Sequence, residues 1–441
     1  MPGDSWVGLA GFAILFGLAA IGVPVAFSMG LASVVGLWIL GGPESALSAM
    51  GIVGSSAFTS YALSVVPLII LMGAAAARSG MSESLFGLCE ALLGGRRGRL
   101  ATATVTASAL FSAVCGSSVA TAATMAKIAL PQMRRFGYDD RLSVGAVAAG
   151  GSLGTLIPPS TVMVIYALIA EASLIDLFIA ALIPGIVAAL SYALVIEAIA
   201  RIRPDAAPRR TGVARRPAAK TLVDAAPALA LFTIMLGGLY GGIFTPTEAA
   251  SIGALLSFAY LVWSARAALQ VLMAVFTETV SLTATIFMLV LSAYLFSFFL
   301  SLTGLPQVLA AVVTESGFGP VHIVLLVVAL YLVLGCVMES LSIMIVTIPL
   351  VLPIVAAMAP ELQMTSGEAA IWFGIVVLIA VEVGLLTPPF GINIFVIKGA
   401  ATELRTATIY LGAMPFWAVV VLRVIAIVLF PSIAIWLPRQ F

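Results

Sequence analysis

Two short polar stretches, each set in apolar sequence, carry the residue types that could do chemistry in this chain. The first is Cys115-Gly116-Ser117-Ser118-Val119-Ala120-Thr121, small, bendable and rich in hydroxyls. The second is Gly335-Cys336-Val337-Met338-Glu339-Ser340-Leu341-Ser342, which has the same character and adds a carboxylate. Downstream of each, a further apolar run is interrupted by glycine and proline. These interruptions are Gly150-Gly151-Ser152-Leu153-Gly154-Thr155-Leu156-Ile157-Pro158-Pro159-Ser160 and Glu382-Val383-Gly384-Leu385-Leu386-Thr387-Pro388-Pro389-Phe390-Gly391-Ile392-Asn393. The oxygens on offer are mostly hydroxyls and backbone carbonyls. Hard cations take oxygen ligands, and neutral oxygens suit a monovalent ion that is bound and then released.

Gly116, Ser117, Ser118, Gly154, Thr155 and Pro158 are therefore read as one sodium-like site. Ser340, Ser342, Gly384, Thr387, Pro388 and Asn393 are read as the second. The direct ion ligands expected are Ser118, Gly154, Thr155 and Pro158 in the first, and Ser342, Gly384, Thr387 and Pro388 in the second. Helix N-termini aimed at mid-membrane would favour an anion, placed against Gly116, Ser117, Ser118, Glu339, Ser340, Pro159, Pro389 and Asn393. The plainer alternative is that Ser and Gly only let helices pack closely. The paired recurrence of the pattern speaks against it.

Composition says what must hold these stretches. Of 441 residues, 62% are hydrophobic and 9% charged, with a mean hydropathy of +1.21. A soluble domain carries about 25% charged residues, so the expected fold class is an all-α polytopic membrane protein. The net charge of +1 gives no pull toward nucleic acid. Cys89, Cys115 and Cys336 sit in apolar or hairpin contexts and suggest neither a disulfide framework nor a metal site. The single histidine, His322, leaves little room for histidine catalysis. Met1 to Trp6 lacks a basic leader, so Trp6 onward is expected to be a retained first span.

Taken in order, Trp6 to Ile21 and Pro24 to Leu40 read as spans, and a third runs from Tyr61 to Ala77. Met81 to Gly94 is amphipathic and suits the membrane interface. The apolar limbs on either side of the first tip fall short of the roughly 20 residues a bilayer needs. Residues 101–131 are thus a re-entrant hairpin, with Arg96, Arg97 and Arg99 before it and Arg134 and Arg135 after. Residues 142–170 form a broken helix, and Leu177 to Ala200 crosses again.

Arg201, Arg203, Arg209, Arg210, Arg215, Arg216 and Lys220 crowd the midpoint, where residues 204–220 make a basic loop between halves 1–203 and 221–441. In the second half, 321–359 matches the hairpin and 371–398 the broken helix, with Pro158-Pro159 recurring as Pro388-Pro389. On length alone the second hairpin could instead be two full spans. An odd number of crossings per half makes the two repeats inverted in topology, and broken helices in inverted repeats mark secondary transporters. Placing every Lys and Arg except Lys127, Arg423 and Arg439 in the cytoplasm satisfies the positive-inside rule.

Two acids, Glu339 and Glu382, fall within the membrane on this reading, and such residues are functional by default. Lys127 is expected to snorkel to the cytoplasm. Arg423, mid-span in the last helix, needs a polar cavity or a partner helix, and is read as an unpaired anchor for a partner subunit.

Four ordered motifs then point to a family: Gly116 to Thr124, Gly154 to Ser160, Gly242-Ile243-Phe244-Thr245-Pro246-Thr247-Glu248-Ala249-Ala250, and Gly384 to Asn393. They resemble the large membrane subunit of tripartite ATP-independent periplasmic (TRAP) transporters, and the resemblance covers essentially the whole chain. It implies a bacterial inner-membrane importer of small organic acids, of C4-dicarboxylate or sugar-acid type. Sodium ions would be the coupling ions, and the hairpin-bearing domain would move as an elevator. It also implies a periplasmic substrate-binding protein and a small four-span membrane subunit as a separate chain. Glu339 departs from the family pattern, which usually has Asp there.

The main rival is a stand-alone sodium/dicarboxylate symporter needing no binding protein. A passive channel fits less well, because broken inverted repeats serve alternating access. An intramembrane hydrolase using Ser117 or Ser118 would need a base within reach, and His322 is poorly placed for it. No catalytic residue is therefore expected.

Overall fold

The computed structural model describes residues 4–93, 96–208, 218–264, 268–315, 317–335, 338–389 and 391–440. Cys336, Phe390, Arg266 and the middle of the basic loop, 209–217, lie outside the described residues. All regular structure among the described residues is helical.

The first half opens with α1 (Ser5–Ala20) and α2 (Val25–Thr59). The second span is longer than its apolar run suggests. At Gly42 the backbone turns to φ 78°, a region open to glycine, and Pro43 restarts the helix with its φ already set. Beyond the bend, Ala46, Ala49, Val53 and Ala57 form a buried stripe at helical spacing. After a short 3₁₀ turn come α3 (Val65–Arg78) and the amphipathic α4 (Met81–Leu92), which buries Met81, Leu85, Phe86, Leu88 and Cys89.

The hairpin is α5 (Arg99–Cys115) and α6 (Ser118–Arg135). The broken helix is α7 (Asp140–Ser152) and α8 (Thr161–Ile169), and α9 (Leu174–Ile202) closes the half. Asp139 caps α7 by accepting from the Arg141 and Leu142 amides at 2.8 and 3.3 Å.

The second half follows as α10 (Ala218–Tyr240), α11 (Pro246–Ser264), α12 (Leu269–Thr303) and α13 (Leu305–Glu315). Its hairpin is α14 (Pro320–Gly335) and α15 (Ser340–Met358), and its broken helix is α16 (Ser366–Leu386) and α17 (Ile392–Ala400). The last elements are α18 (Thr406–Leu429) and the single turn α19 (Ser432–Ile435). Helix α16 starts five residues before the expected boundary because Thr365 and Glu368 form a capping box.

Among the described residues, eight helices are long and apolar enough to cross a membrane. Helix α15 is one of them. Helices α1, α5 and α14 are apolar but shorter. Large apolar side chains such as Trp6, Trp38, Ile52, Leu194, Leu255 and Met273 face outward, as lipid contact requires.

Helices α2 and α12 pack along each other, and so do α3 and α11. The hairpins touch these pairs through α3–α5 and α12–α15, and they also touch a core in which α7, α9, α16 and α18 all contact one another. Every residue in the apolar window of α16 is buried. Gly145 of α7 and Gly412 of α18 bring those two backbones into direct contact. At one end of this core, Arg134 joins the base of the first hairpin to Asp140 at 3.0 Å and to Glu403, beyond α17.

Candidate binding cavity and the two helix breaks

The first tip is built by local backbone chemistry. Helix α5 ends at Gly116, whose φ of 64° a residue with a side chain rarely adopts. Ser117 then caps α6, its hydroxyl accepting from the Ala120 amide at 3.4 Å. The Gly116 carbonyl is claimed by Thr161, which donates its amide at 3.2 Å and its hydroxyl at 2.7 Å. The hairpin tip is thereby tied to the start of α8, past the first break. Ser118 is 7% exposed, and its hydroxyl oxygen is buried without a protein partner. The Ser160 hydroxyl, in the break itself, is likewise buried and unpartnered. Gly154 lies against the Ser117–Ser118 backbone, and Thr155 donates its hydroxyl to the Ser152 carbonyl at 2.9 Å. Pro158-Pro159 is a cis peptide, as is Pro388-Pro389.

The second tip differs in detail. Glu339 occupies the N-cap position of α15, but its carboxylate does not cap the helix. Ser342 is buried one turn in. Gly384 and Gly335 meet face to face, a Cβ on Gly384 falling 3.2 Å from the Gly335 Cα. The Thr387 hydroxyl donates to the Val383 carbonyl at 2.7 Å and accepts from the Trp417 indole at 2.9 Å. Pro389 gives its carbonyl to the Tyr410 hydroxyl. Asn393 is fully buried and donates its amide to the Ala148 carbonyl of α7 at 3.4 Å, while its own carbonyl oxygen has no partner.

Both tips open onto one cavity of about 570 Å³. Gly116, Ser117, Ser118, Thr155, Glu339 and Ser340 line it together, although the two tips are more than 200 positions apart in sequence. Gly154 stands directly behind Ser118. Pro158 and Pro159 make the turn behind the tip, where the Pro159 carbonyl faces Gly116. Gly384, Thr387, Pro388, Pro389 and Asn393, on and around the second break, are not among the lining residues, nor is Ser342 on α15. The opposite wall comes from α3 and α12 through Gly73, Ala77, Glu278 and Ser281.

Glu278 corrects the sequence reading, which placed only Glu339 and Glu382 among apolar spans. It is the one charged residue in α12 and forms an ion pair with Arg78 at 2.6 Å. An isolated charge in so long an apolar run is the signal that could have found it. Lys127 is exposed on α6, on the side that carries Ala120 and Ala123 into the cavity wall.

A second correction concerns Arg423. Far from being an unpaired anchor, it is buried and lies 2.9 Å from Glu382. Glu382 Oε1 accepts from the hydroxyls of Tyr192 and Ser152 at 2.6 and 2.9 Å. Arg423 also donates to the Tyr192 oxygen at 3.2 Å and stacks over its ring at 5.0 Å. The pairing joins two different helices, α16 and α18, and is bridged by Tyr192 of α9, so no pattern within one helix announces it.

Residues 12–433 match the model of one family, described as "Tripartite ATP-independent periplasmic transporter, DctM component". The chain belongs to this family. It is 30% identical to the C4-dicarboxylate TRAP transporter large permease protein DctM of Vibrio cholerae, over 97% of this chain and 96% of that protein. It is also 28% identical to the sialic acid TRAP transporter large permease protein SiaM of the same organism, over 96% and 97%. Among solved structures, the YdaH transporter of Alcanivorax borkumensis aligns with a TM-score of 0.60 at 15% identity, covering 88% of this chain and 87% of that one. That likeness concerns the fold, described for YdaH as an unusual topology.

Proposed function

We propose that this TRAP family member is the large permease subunit of a system that imports a small organic acid, of C4-dicarboxylate or sugar-acid type, at the expense of a sodium gradient. It would sit in the inner membrane of a bacterium with the arginine-rich loops in the cytoplasm. A periplasmic substrate-binding protein would deliver the acid, and a separate four-span subunit would complete the membrane part.

The observation that carries the reading is the shared cavity. Its volume suits a small molecule and lies within the usual range for ligand pockets. Serine hydroxyls and the N-terminus of α6 enter it from one tip, and Glu339 with the N-terminus of α15 enters from the other. Helix N-termini favour anionic groups. The buried, unpartnered hydroxyls of Ser118 and Ser160 are what a dehydrated sodium ion lacks, an oxygen shell at fixed positions. Sodium and acid held between both tips would close them together, and the hairpin-bearing body would carry both across as an elevator.

The test is uptake by the purified subunits in proteoliposomes. Accumulation should require the binding protein, the small subunit and an inward sodium gradient, and should vanish when choline replaces sodium. Full uptake by this chain alone would favour the stand-alone symporter. Orientation has its own check in a background lacking Cys89, Cys115 and Cys336. An impermeant thiol reagent applied to intact cells should label Glu361→Cys and spare Arg203→Cys.

A further inference from the structure

Ser152 and Glu382 hydrogen-bond to each other and are 230 residues apart. That is also the separation of Pro158 from Pro388, and of Gly154 from Gly384. They are equivalent positions in the two interrupted helices, each two residues before the glycine of its break. Tyr192 and Arg423, which also bond to each other, stand 231 residues apart. Equivalent positions of a repeated unit touch only where the two copies meet, so these four residues mark the seam between the repeats. Each side chain is at most 7% exposed. Around them α7, α9, α16 and α18 make one packed core.

The cluster reaches both breaks through short links. On one side Thr155, a cavity residue, donates to the carbonyl of Ser152, and Gly154 presses on Ser118. On the other, Glu382 is followed by Gly384 in the same helix and by Thr387 at its C-cap. A second strut runs from Asn393, past the second break, to Ala148 on α7. An ion that orders one break therefore acts on a hydrogen-bonded unit shared with the other. Burial makes that unit stiff, because a displaced Glu382 or Arg423 would be left charged and unpaired in a dry core.

We propose that Ser152, Tyr192, Glu382 and Arg423 form a positioning unit that couples the two helix breaks, so that sodium bound at one raises sodium affinity at the other. The inference rests on the sodium reading above and assigns the four residues no direct contact with ion or acid.

The test follows sodium-dependent thermal stabilisation of the purified chain, with choline holding ionic strength constant. The wild type should titrate steeply, with a Hill coefficient above one. Tyr192→Phe keeps the ring and its packing but removes the hydroxyl that bridges Glu382, Arg423 and Ser152. Its stability without sodium should fall by the loss of one buried hydrogen-bonded hydroxyl, a cost that sodium does not change, while the Hill coefficient falls to one. The half-saturating sodium concentration should rise by about fivefold or more, the low end of ordinary coupling between sites. The paired variant Glu382→Gln with Arg423→Met, which leaves no lone charge, should lose steepness in the same way. Unchanged steepness and midpoint in both variants would overturn the proposal, as would a wild type that titrates with a coefficient of one. A wild type that sodium does not stabilise at all removes the sodium reading and this inference with it, and that arm is read before any variant is made.

Discussion

Gly154 stands so close to the first hairpin tip that a methyl group on its Cα would fall 2.8 Å from both the Cα and the amide nitrogen of Ser118. The neighbour is backbone, which has no rotamer by which to move aside. Gly154→Ala should cost about 1–3 kcal/mol as overpacking and should push the tip away from the break. Thermal unfolding and sodium titration check both effects. Gly367→Ala is the control: nothing lies within 4 Å of its new methyl. In the first turn of α16 it should be neutral or stabilising by about 0.5–1 kcal/mol.

Ser118 and Thr387 separate ion binding from packing. The Ser118 hydroxyl has no protein partner, so Ser118→Ala should leave sodium-free stability nearly unchanged. Losing one ion ligand at about 1–3 kcal/mol should raise half-saturating sodium roughly tenfold. Thr387→Ala instead strands the Trp417 indole, which now donates at 2.9 Å. Its cost of about 1–3 kcal/mol should appear with or without sodium. Ser191→Ala, whose hydroxyl bonds only the Ala188 carbonyl within its own helix, should leave the sodium curve where it is. A Ser118→Ala protein that melts early in sodium-free buffer, with normal sodium dependence, would assign that serine to packing.

The Glu382–Arg423 pair predicts strong non-additivity between single and double substitutions. Either Glu382→Gln or Arg423→Met alone leaves its partner buried and uncompensated, at about 3–5 kcal/mol. Removing both together should cost less than either single change. Thermal melts of the three variants decide it, and a double variant worse than both singles would argue against a buried pair.

Arg78 and Glu278 set the charge of the cavity wall facing the tips. Arg78→Gln leaves Glu278 unopposed there and should disfavour an organic anion. Glu278→Gln should do the opposite. The pair is about one third exposed, so screening limits the effect to about tenfold in apparent substrate affinity, shrinking as salt rises. Uptake KM at two ionic strengths is the measurement.

The hairpins and helix breaks are legible in the sequence because glycine, serine and proline stand out inside apolar runs. The second limb of α2 is not: its Ala46, Ala49, Val53 and Ala57 stripe lies in small-residue sequence between the second and third expected spans. Only packing against other helices makes it a buried face. The first-tip residues were legible as a polar cluster, and both tips could be read as a pair. That they open onto a single cavity depends on the packing of helices far apart in sequence. Arg423 shows the limit most clearly. Its charge is visible in the last span, but its partner sits on another helix, and an unpaired role was the natural misreading.

The closeness of Glu382 and Arg423 has an electrical consequence. A single charge carried across a membrane does about 2.3 kcal/mol of work per 100 mV. A buried cation travelling alone with the moving body would therefore make every cycle fight or follow the membrane voltage. In the proposed elevator cycle, the two opposite charges, held 2.9 Å apart, would cross the field as one neutral dipole and exchange almost no work with it. In the proposed cycle, voltage then acts on the cargo, sodium and organic anion, and a measured current counts transported ions rather than charges of the protein itself.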